Sequence, residues 1–183
     1  AARGLELPVG LVPILQPREE VTPPGARDVV ASGLIDDEQI EAVVGVHVQP
    51  QVARGVVSTG AGAVNAAYDS FEIEVGGRPG HGAYPHVAVD PITTLAQVVS
   101  AVAALPASLI DPTHPTVVSF GQISGGTAPN MITDVATATG TIRTFSERDR
   151  ARLHDAITRT VDGIAAGRGA VAATRFIAGG PAL

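Results

Sequence analysis

The acidic residues that follow a short apolar run are the first candidates for chemistry. Glu19 and Glu20 come soon after the run Val9–Leu15, and His47 directly follows the run Ala42–Val46. Open α/β sheets bind their ligands beyond the carboxyl ends of the strands. One carboxylate could bind a metal ion there while the other faces a water molecule, and imidazole with carboxylate makes a partial zinc site. The alternative is a pair of solvated acids that opens a loop.

A loop rich in glycine and proline carries two of the five histidines of the chain. It runs over residues 76–86 and holds His81 and His86 among four glycines and two prolines. Glycine permits close approach of the backbone and positive φ, while proline stiffens turns. Such a loop could hold an imidazole at a defined place at the edge of a sheet. The alternative is a tight connection with two surface histidines.

Two further polar residues could bind a substrate. Asn130 ends the glycine-rich turn 125–130, and Arg143 lies among threonines on the polar face of a predicted strand. A rigid guanidinium is suited to holding a carboxylate in bidentate fashion. The alternatives are an asparagine that only shapes the turn and a surface arginine. His114 and His154 are interpreted as a loop residue and an exposed helix residue without a role.

The elements that position these residues follow from hydrophobic periodicity. Phe71, Ile73 and Val75 alternate with polar residues and predict a strand. Asp90 followed by proline predicts a helix start, and Pro106 predicts its end. The helix should bury one apolar stripe, which comprises Ile92, Leu95, Val99 and Val102.

The remaining pattern completes an α+β domain. Strands are predicted at 116–123, 136–143 and 170–177, with a helix that begins after the capping-box-like Ser146 and ends at Gly167. The order β-α-β-β-α-β is the ferredoxin-like arrangement, with two helices on one face of a four-stranded sheet. We predict a partial α/β domain over 1–66, this domain over 67–178 and a linker over 179–183. The uncovered sheet edge favours a dimer.

Composition excludes several classes of function. The formal net charge of -6 and the small aromatic fraction of 3% argue against a nucleic-acid partner. The absence of cysteine excludes disulfides and thiolate metal sites within this chain. The apolar run near the start is broken by Pro8, Gly10 and Pro13 and is too short to span a membrane. The expectation is a cytoplasmic protein without a membrane partner.

Five stretches together resemble the zinc-dependent aminoacylase/carboxypeptidase metallopeptidases, in the branch of hippurate hydrolase and the auxin-conjugate amidohydrolases. Their order and spacing are similar to the pattern of that family, and they cover nearly the whole chain. These stretches are Gln16-Pro17-Arg18-Glu19-Glu20, Gly45-Val46-His47, residues 80–91, residues 126–132 and Gly140-Thr141-Ile142-Arg143-Thr144.

The resemblance implies a two-domain hydrolase of N-acyl amino acids or small peptides, with a catalytic α/β domain and a ferredoxin-like dimerisation (lid) domain. Glu19 would be the general base, Glu20 and His47 ligands to zinc, and His81 a donor that reaches the partner's site across a homodimer. Substrate would be bound from the lid, by Asn130, Arg143 and, as a further candidate in the same loop, His86.

Two interpretations remain open. In the family, other metal ligands lie upstream of the Glu19-Glu20 stretch and downstream of the lid, so we expect this chain by itself to be inactive. The chain is then the middle segment of a metal-dependent amidohydrolase. The alternative is a non-catalytic dimerisation module, or a truncated remnant, without a complete metal site.

Overall fold

A computed structural model describes residues 8–19 and 24–183. The chain divides into two compact units, Ala1–Thr59 and Gly60–Leu183. The units are treated one at a time below.

The described part of the first unit is helical and irregular. Helix α1 spans Ala26–Ala31 and helix α2 spans Leu34–Asp37, with Gly33 between them at φ 79°. The strands predicted at Val9–Leu15 and Ala42–Val46 are wrong for the described residues, where neither run is paired with a strand. A strand needs a hydrogen-bonded neighbour to form, and apolar side chains such as Leu15 and Val46 are more than 90% exposed here.

The second unit is built on one four-stranded antiparallel sheet. Its strands are β1 (Ala67–Gly76), β3 (Thr116–Gly125), β5 (Val135–Thr144) and β6 (Val171–Ala178), in the order β3-β5-β1-β6. The short strands β2 (Gly80–His81) and β4 (Met131–Ile132) form a separate pair. This order is that of the split βαβ fold. The predicted fold class is therefore confirmed.

Strict alternation on β1 decides which face of the sheet is covered. Phe71, Ile73 and Val75 are buried, as predicted, and face the two long helices. Gly140 lies opposite Phe71 on the neighbouring strand, and the Phe71 ring packs edge-on against Phe120 at 5.2 Å between centroids. A Cβ at Gly140 would come within 2.4 Å of the Phe71 ring, so the close fit requires glycine.

Helix α3 spans Pro91–Leu109 and begins where it was predicted. The Asp90 carboxylate accepts hydrogen bonds from the backbone N–H groups of Ile92 and Thr93, which is the N-cap geometry. The prediction that Pro106 ends the helix is wrong, because the helix continues for three residues beyond it. Proline removes only one N–H donor, and the Pro106 carbonyl still accepts from the Ile110 N–H.

The buried stripe of α3 is rotated slightly from the predicted one. Leu95 and Val102 are buried as expected, but Val98 is fully buried where Val99 is only partly so, and Ile92 is 41% exposed. The helix is long and apolar enough to cross a membrane by length and composition alone. Its apolar stripe packs into the domain core, and five of its nineteen residues are buried.

Helix α4 spans Glu147–Gly167 and is held at both ends by its own sequence. The Ser146 hydroxyl accepts from the Asp149 N–H at 3.2 Å, while the Asp149 carboxylate binds His114 instead of completing a capping box. At the other end Gly169 has φ 68°, and the Ala170 N–H reaches the Ala165 carbonyl at 2.9 Å. This is the Schellman motif.

The core lies between the helices and one face of the sheet. It combines side chains of β1, α3, β5 and α4, namely Phe71, Ile73, Val75, Leu95, Val98, Val102, Ala138, Ile142, Leu153, Ile157 and Val161. The opposite face carries the polar positions of the same strands and is not covered by any helix of the second unit. Of the candidate residues in this unit, His81, His86 and Asn130 lie in loops or short strands at one end of the sheet, and Arg143 lies on β5 near the other end.

Candidate active site

The Gly/His loop is closed at its base by a backbone bridge. Arg78 and Val89 exchange two N–H to carbonyl hydrogen bonds, both of 2.9 Å. The Arg78 Nε–H also donates to the Val87 carbonyl at 2.9 Å. Glycine is required beside this bridge, since a Cβ at Gly77 would lie 2.2 Å from the Val89 carbonyl oxygen. The loop is thus fixed to the end of β1.

A second set of backbone contacts brings His81 next to the glycine-rich turn. His81 pairs with Met131 and Gly80 with Ile132 in the β2–β4 ladder. The Gly82 N–H donates to the Asn130 carbonyl at 2.8 Å. Two residues that lie far apart in sequence, His81 and Asn130, are therefore held together by main-chain hydrogen bonds.

The His81 ring has a defined hydrogen-bonding polarity. The Ala83 N–H donates to His81 Nδ1 at 3.1 Å, so the neutral ring carries its proton on Nε2. The side chain is exposed, and its ring lies 5.8 Å from that of Tyr84. The arrangement presents an N–H donor to solvent from a rigid backbone, which is what a developing oxyanion requires.

His86 lies in the same loop as His81. It is exposed in the 3₁₀ turn Pro85–Val87, and its ring contacts Tyr84 edge-on at 6.4 Å between centroids. Tyr84 thus lies between the two histidines of the loop. The structure brings His86 into the same loop surface as His81, and no hydrogen bond fixes its imidazole among the described residues.

Arg143 is an exposed cation on the open face of the sheet. It lies opposite Tyr68 in the β1–β5 ladder, and its guanidinium carbon is 6.0 Å from the centre of the Tyr68 ring. Within the part of the chain that the structure describes, no carboxylate pairs with Arg143. Arg150, Arg159 and Arg175, by contrast, each bind an acid. Arg143 is therefore suited to an external carboxylate.

The two groups of substrate-binding candidates lie at opposite ends of the sheet. The His81 loop and the Asn130 turn flank the end where Gly76 pairs with Val135, whereas Arg143 pairs with Tyr68 at the other end. Arg143 lies eight positions beyond Val135 on β5, a span of about 27 Å at ~3.4 Å per residue. One chain does not bring these two groups together around one small molecule.

The acidic and histidine candidates of the first unit are only partly within the described residues. Glu19 is exposed, and Glu20 lies outside the described residues. His47 is exposed and its Nδ1–H donates to the Val48 carbonyl at 2.7 Å, which leaves the Nε2 lone pair available. Metal-binding histidines commonly have a ring N–H held by a carbonyl in this way. No cluster of three or more metal-binding side chains forms among the described residues.

One buried ionic cluster had no counterpart in the sequence predictions. Asp69 is 1% exposed and accepts hydrogen bonds from Arg150 Nε, His154 Nε2 and the Gly179 N–H at 2.7–3.0 Å. The prediction that His154 is merely exposed is wrong, since its ring also stacks on Phe176 at 4.1 Å. The signal was present in the sequence, because Asp69 lies on the apolar side of the β1 alternation.

The contacts of this cluster set the charge of its members. Burial by itself would raise the pKa of Asp69, but the hydrogen bonds from Arg150, Gly179 and His154 outweigh it and hold the pKa below its usual value. The hydrogen bond to Asp69 in turn raises the pKa of Arg150. Asp69 is therefore an anion that ties β1 to α4 and to the segment after β6.

Comparison with known proteins places these features in a family. Residues 66–168 match the family described as peptidase dimerisation domain. Over 159 residues the chain is 35% identical to N-acetylcysteine deacetylase of Bacillus subtilis. This alignment covers 87% of this chain and 41% of that protein. It is 36% identical over 163 residues to N-acyl-L-amino acid amidohydrolase of Geobacillus stearothermophilus, covering 89% of this chain and 44% of that one.

The fold comparison agrees with the sequence comparison. The Bacillus subtilis YXEP protein, described as a dinuclear metal binding peptidase from the M20 family, superposes with a TM-score of 0.71 at 30% identity. The alignment covers 92% of this chain and 40% of that one, so the chain spans less than half the length of these relatives. Because the family pattern matches more than half of its residues, the chain belongs to the peptidase dimerisation domain family of the M20 peptidases.

Proposed function

We propose that this chain is part of a metal-dependent amidohydrolase that cleaves the amide bond of N-acyl amino acids or small peptides. The names of its relatives describe a deacetylase and an amidohydrolase of such compounds. The observation that carries the proposal is the β2–β4 ladder, which holds His81 beside Asn130 with an N–H donor directed outward. That arrangement suits acyl transfer, in which negative charge develops on the carbonyl oxygen.

The proposed cofactor is a divalent metal ion, which we take to be zinc. His47 fits a ligand because its Nδ1–H is bound by a carbonyl and its Nε2 remains a donor to metal. Glu20 would be a second ligand, and both would act with residues from elsewhere in the complete protein. When bound, the ion would polarise the scissile carbonyl and make a water molecule more acidic.

The protein side chains would then move protons and hold the substrate. Glu19 would take a proton from the attacking water and deliver it to the departing amine. His81 would donate its Nε2–H to the developing oxyanion. Asn130 and His86 would contact the substrate beside it, and Arg143 would bind a carboxylate in bidentate fashion.

A homodimer would complete the site in this proposal. The His81 loop flanks the Val135 end of β5, and Arg143 lies about 27 Å from Val135 along that strand, so a small substrate needs the loop of one subunit and the arginine of another. The exposed edge strand β3 offers backbone groups for association. Helix α3, which packs over β3 and β5, carries no charged residue between Pro91 and Leu109. An uncharged helix beside an open edge favours a symmetric contact.

A hydrolysis assay on the full-length protein tests the proposal. We expect turnover of N-acetyl or N-benzoyl amino acids that a chelator abolishes and added Zn²⁺ restores. His81→Ala should lower kcat by about 10²–10³-fold, the usual effect of one oxyanion donor. His114→Ala, a histidine outside the loop, should leave kcat within about two-fold of the parent value.

The second candidate function is a non-catalytic dimerisation module. It is favoured by the independence of the second unit, which has its own core and sheet within Gly60–Leu183. A dimeric full-length protein without metal-dependent hydrolysis of any N-acyl amino acid would support the module and reject the hydrolase.

A further inference from the structure

Tyr68 lies where it can control the orientation of Arg143. We propose that Tyr68 is a positioning residue, which presents the Arg143 guanidinium to the carboxylate of the substrate. The inference rests on the proposed function, because it needs Arg143 to bind substrate. Its starting observation is the ladder register that places the two residues side by side, with the guanidinium carbon 6.0 Å from the ring centre.

The chemistry of this contact leaves the binding edge of the guanidinium available. An aromatic ring attracts a guanidinium through its face. The N–H groups of arginine lie in the plane of the guanidinium and form the fork that matches a carboxylate. A guanidinium that lies over the ring is restricted by it without a hydrogen bond to it, so its N–H donors stay available for a carboxylate. Because no carboxylate of the described residues pairs with Arg143, the ring is the group that orients it.

The Tyr68 ring is itself held in place by two glycines. A Cβ at Gly179 would lie 2.3 Å from Tyr68 Cε2, and a Cβ at Gly180 would lie 3.2 Å from Cε1. The backbones are joined as well, since the Tyr68 N–H donates to the Gly180 carbonyl and the Gly179 N–H to the Tyr68 carbonyl, both at 3.1 Å. A side chain at residue 179 would displace the ring.

The buried ionic cluster extends this support into the core. The Gly179 N–H also donates to Asp69 Oδ1 at 3.0 Å, and Asp69 is bound by Arg150 and His154. Contacts thus run from the α4 side of the sheet through Gly179 to the Tyr68 ring on the open side. Arg143 stands at the end of this series of contacts, on a strand that is paired on both sides.

Kinetics of the full-length protein test the proposal. Tyr68→Leu removes the ring and should raise KM for an N-acyl amino acid by about two- to five-fold, the usual size of an exposed cation–π contact, with kcat unchanged. Tyr68→Phe keeps the ring and should keep the parent KM. Arg143→Ala should raise KM by more than Tyr68→Leu does. In the Arg143→Ala background the Tyr68→Leu change should have no further effect on KM.

A spectroscopic readout tests the contact without turnover. The chain has two tyrosines, so full-length protein labelled with 3-fluorotyrosine includes two ¹⁹F signals from this segment, and the signal that is lost in Tyr68→Phe is that of Tyr68. We expect the chemical shift of this signal to differ between Arg143→Met and the parent protein. In the parent protein it should also change when an N-acyl amino acid is added.

The outcomes separate the two proposals. An absence of hydrolysis by the unmodified protein would reject the proposed function. Hydrolysis with a KM that depends on Arg143 but is the same in Tyr68→Leu would reject only the role of Tyr68. A Tyr68 signal that is insensitive to Arg143→Met would reject it as well. A loss of kcat in Tyr68→Phe would show that the hydroxyl acts directly and would also overturn the proposal.

Discussion

Single residues show how this domain places charge inside an apolar core. Asp69 occupies a position of β1 that faces the helices, where its neighbours on the same face are Ala67 and Phe71. Its side chain is fully buried, and that of Arg150 is 14% exposed. A buried carboxylate is tolerated only when it is paired and hydrogen-bonded. Asp69 meets both conditions through Arg150, His154 and Gly179.

Replacement of Asp69 should therefore be costly. Asp69→Asn leaves the Arg150 cation without its buried partner, so we expect the free energy of unfolding at pH 7 to fall by about 3 kcal/mol or more. Urea denaturation of the isolated second unit or of the full protein measures this loss in the free energy of unfolding. Asp155→Asn is the matched control, since that exposed i,i+4 pair with Arg159 should contribute less than about 0.5 kcal/mol.

The Asp69→Asn variant should also change how the free energy of unfolding depends on pH. The folded pKa of Asp69 is lower than that of the unfolded chain, so its stabilisation is complete above the unfolded value of about 3.9 and is lost as pH falls through the folded pKa. The difference in unfolding free energy between the parent and Asp69→Asn should shrink between pH 5 and pH 2. A difference that stays constant over that range would contradict the assigned role.

Helices with a clear hydrophobic period and an N-cap residue could be predicted from sequence. Whether an apolar run pairs with a partner strand from elsewhere in the chain could not. Asp90 and Ser146 mark the starts of α3 and α4 correctly, because an N-cap satisfies local backbone groups. The helix end predicted at Pro106 was wrong, because the loss of one backbone N–H donor near the end of a helix does not terminate the helix. The run Ala42–Val46 misled because an apolar period cannot reveal whether a partner strand is present.

Gly140 offers a test of packing at this scale. Its absent side chain makes room for the Phe71 ring and the Ser119 carbonyl, each 2.4 Å from where a Cβ would lie. Gly140→Ala should therefore lower the free energy of unfolding by about 2 kcal/mol through overpacking. Thermal unfolding followed by circular dichroism measures this, and the strand period alone would have predicted no such cost.

Gly163 provides the matched control for that experiment. It lies inside helix α4, and outside the helix's own backbone no atom lies within 4 Å of the place that a Cβ would take. Gly163→Ala should raise the free energy of unfolding by up to about 1 kcal/mol, because alanine is the better helix former. Equal and small effects at both glycines would contradict the packing described around Phe71.

At the scale of the whole molecule, the sequence identified candidate side chains but not their distribution. Short motifs name His81, Asn130 and Arg143 without saying which share a side of the fold. Only the backbone pairing shows that the His81 loop and the Asn130 turn meet at the β2–β4 ladder while Arg143 lies at the far end of β5. The alternation of side chains along a strand determines which face of the sheet each residue lies on. It does not determine the end of the sheet at which a loop lies.

This separation leads to a test by subunit mixing. If the loop of one subunit and the arginine of the other form each site, His81→Ala and Arg143→Ala homodimers should each have low activity at a substrate concentration well below the parent KM. A heterodimer would have one site with both residues intact and one with neither. Unfolding and refolding an equal mixture gives about half heterodimers by random pairing, so about a quarter of the parent activity should return.

Mixing two preparations of His81→Ala is the control and should restore nothing. If His81 and Arg143 of the same chain served the same site, neither site of the heterodimer would be intact, and the mixture would stay as inactive as its components.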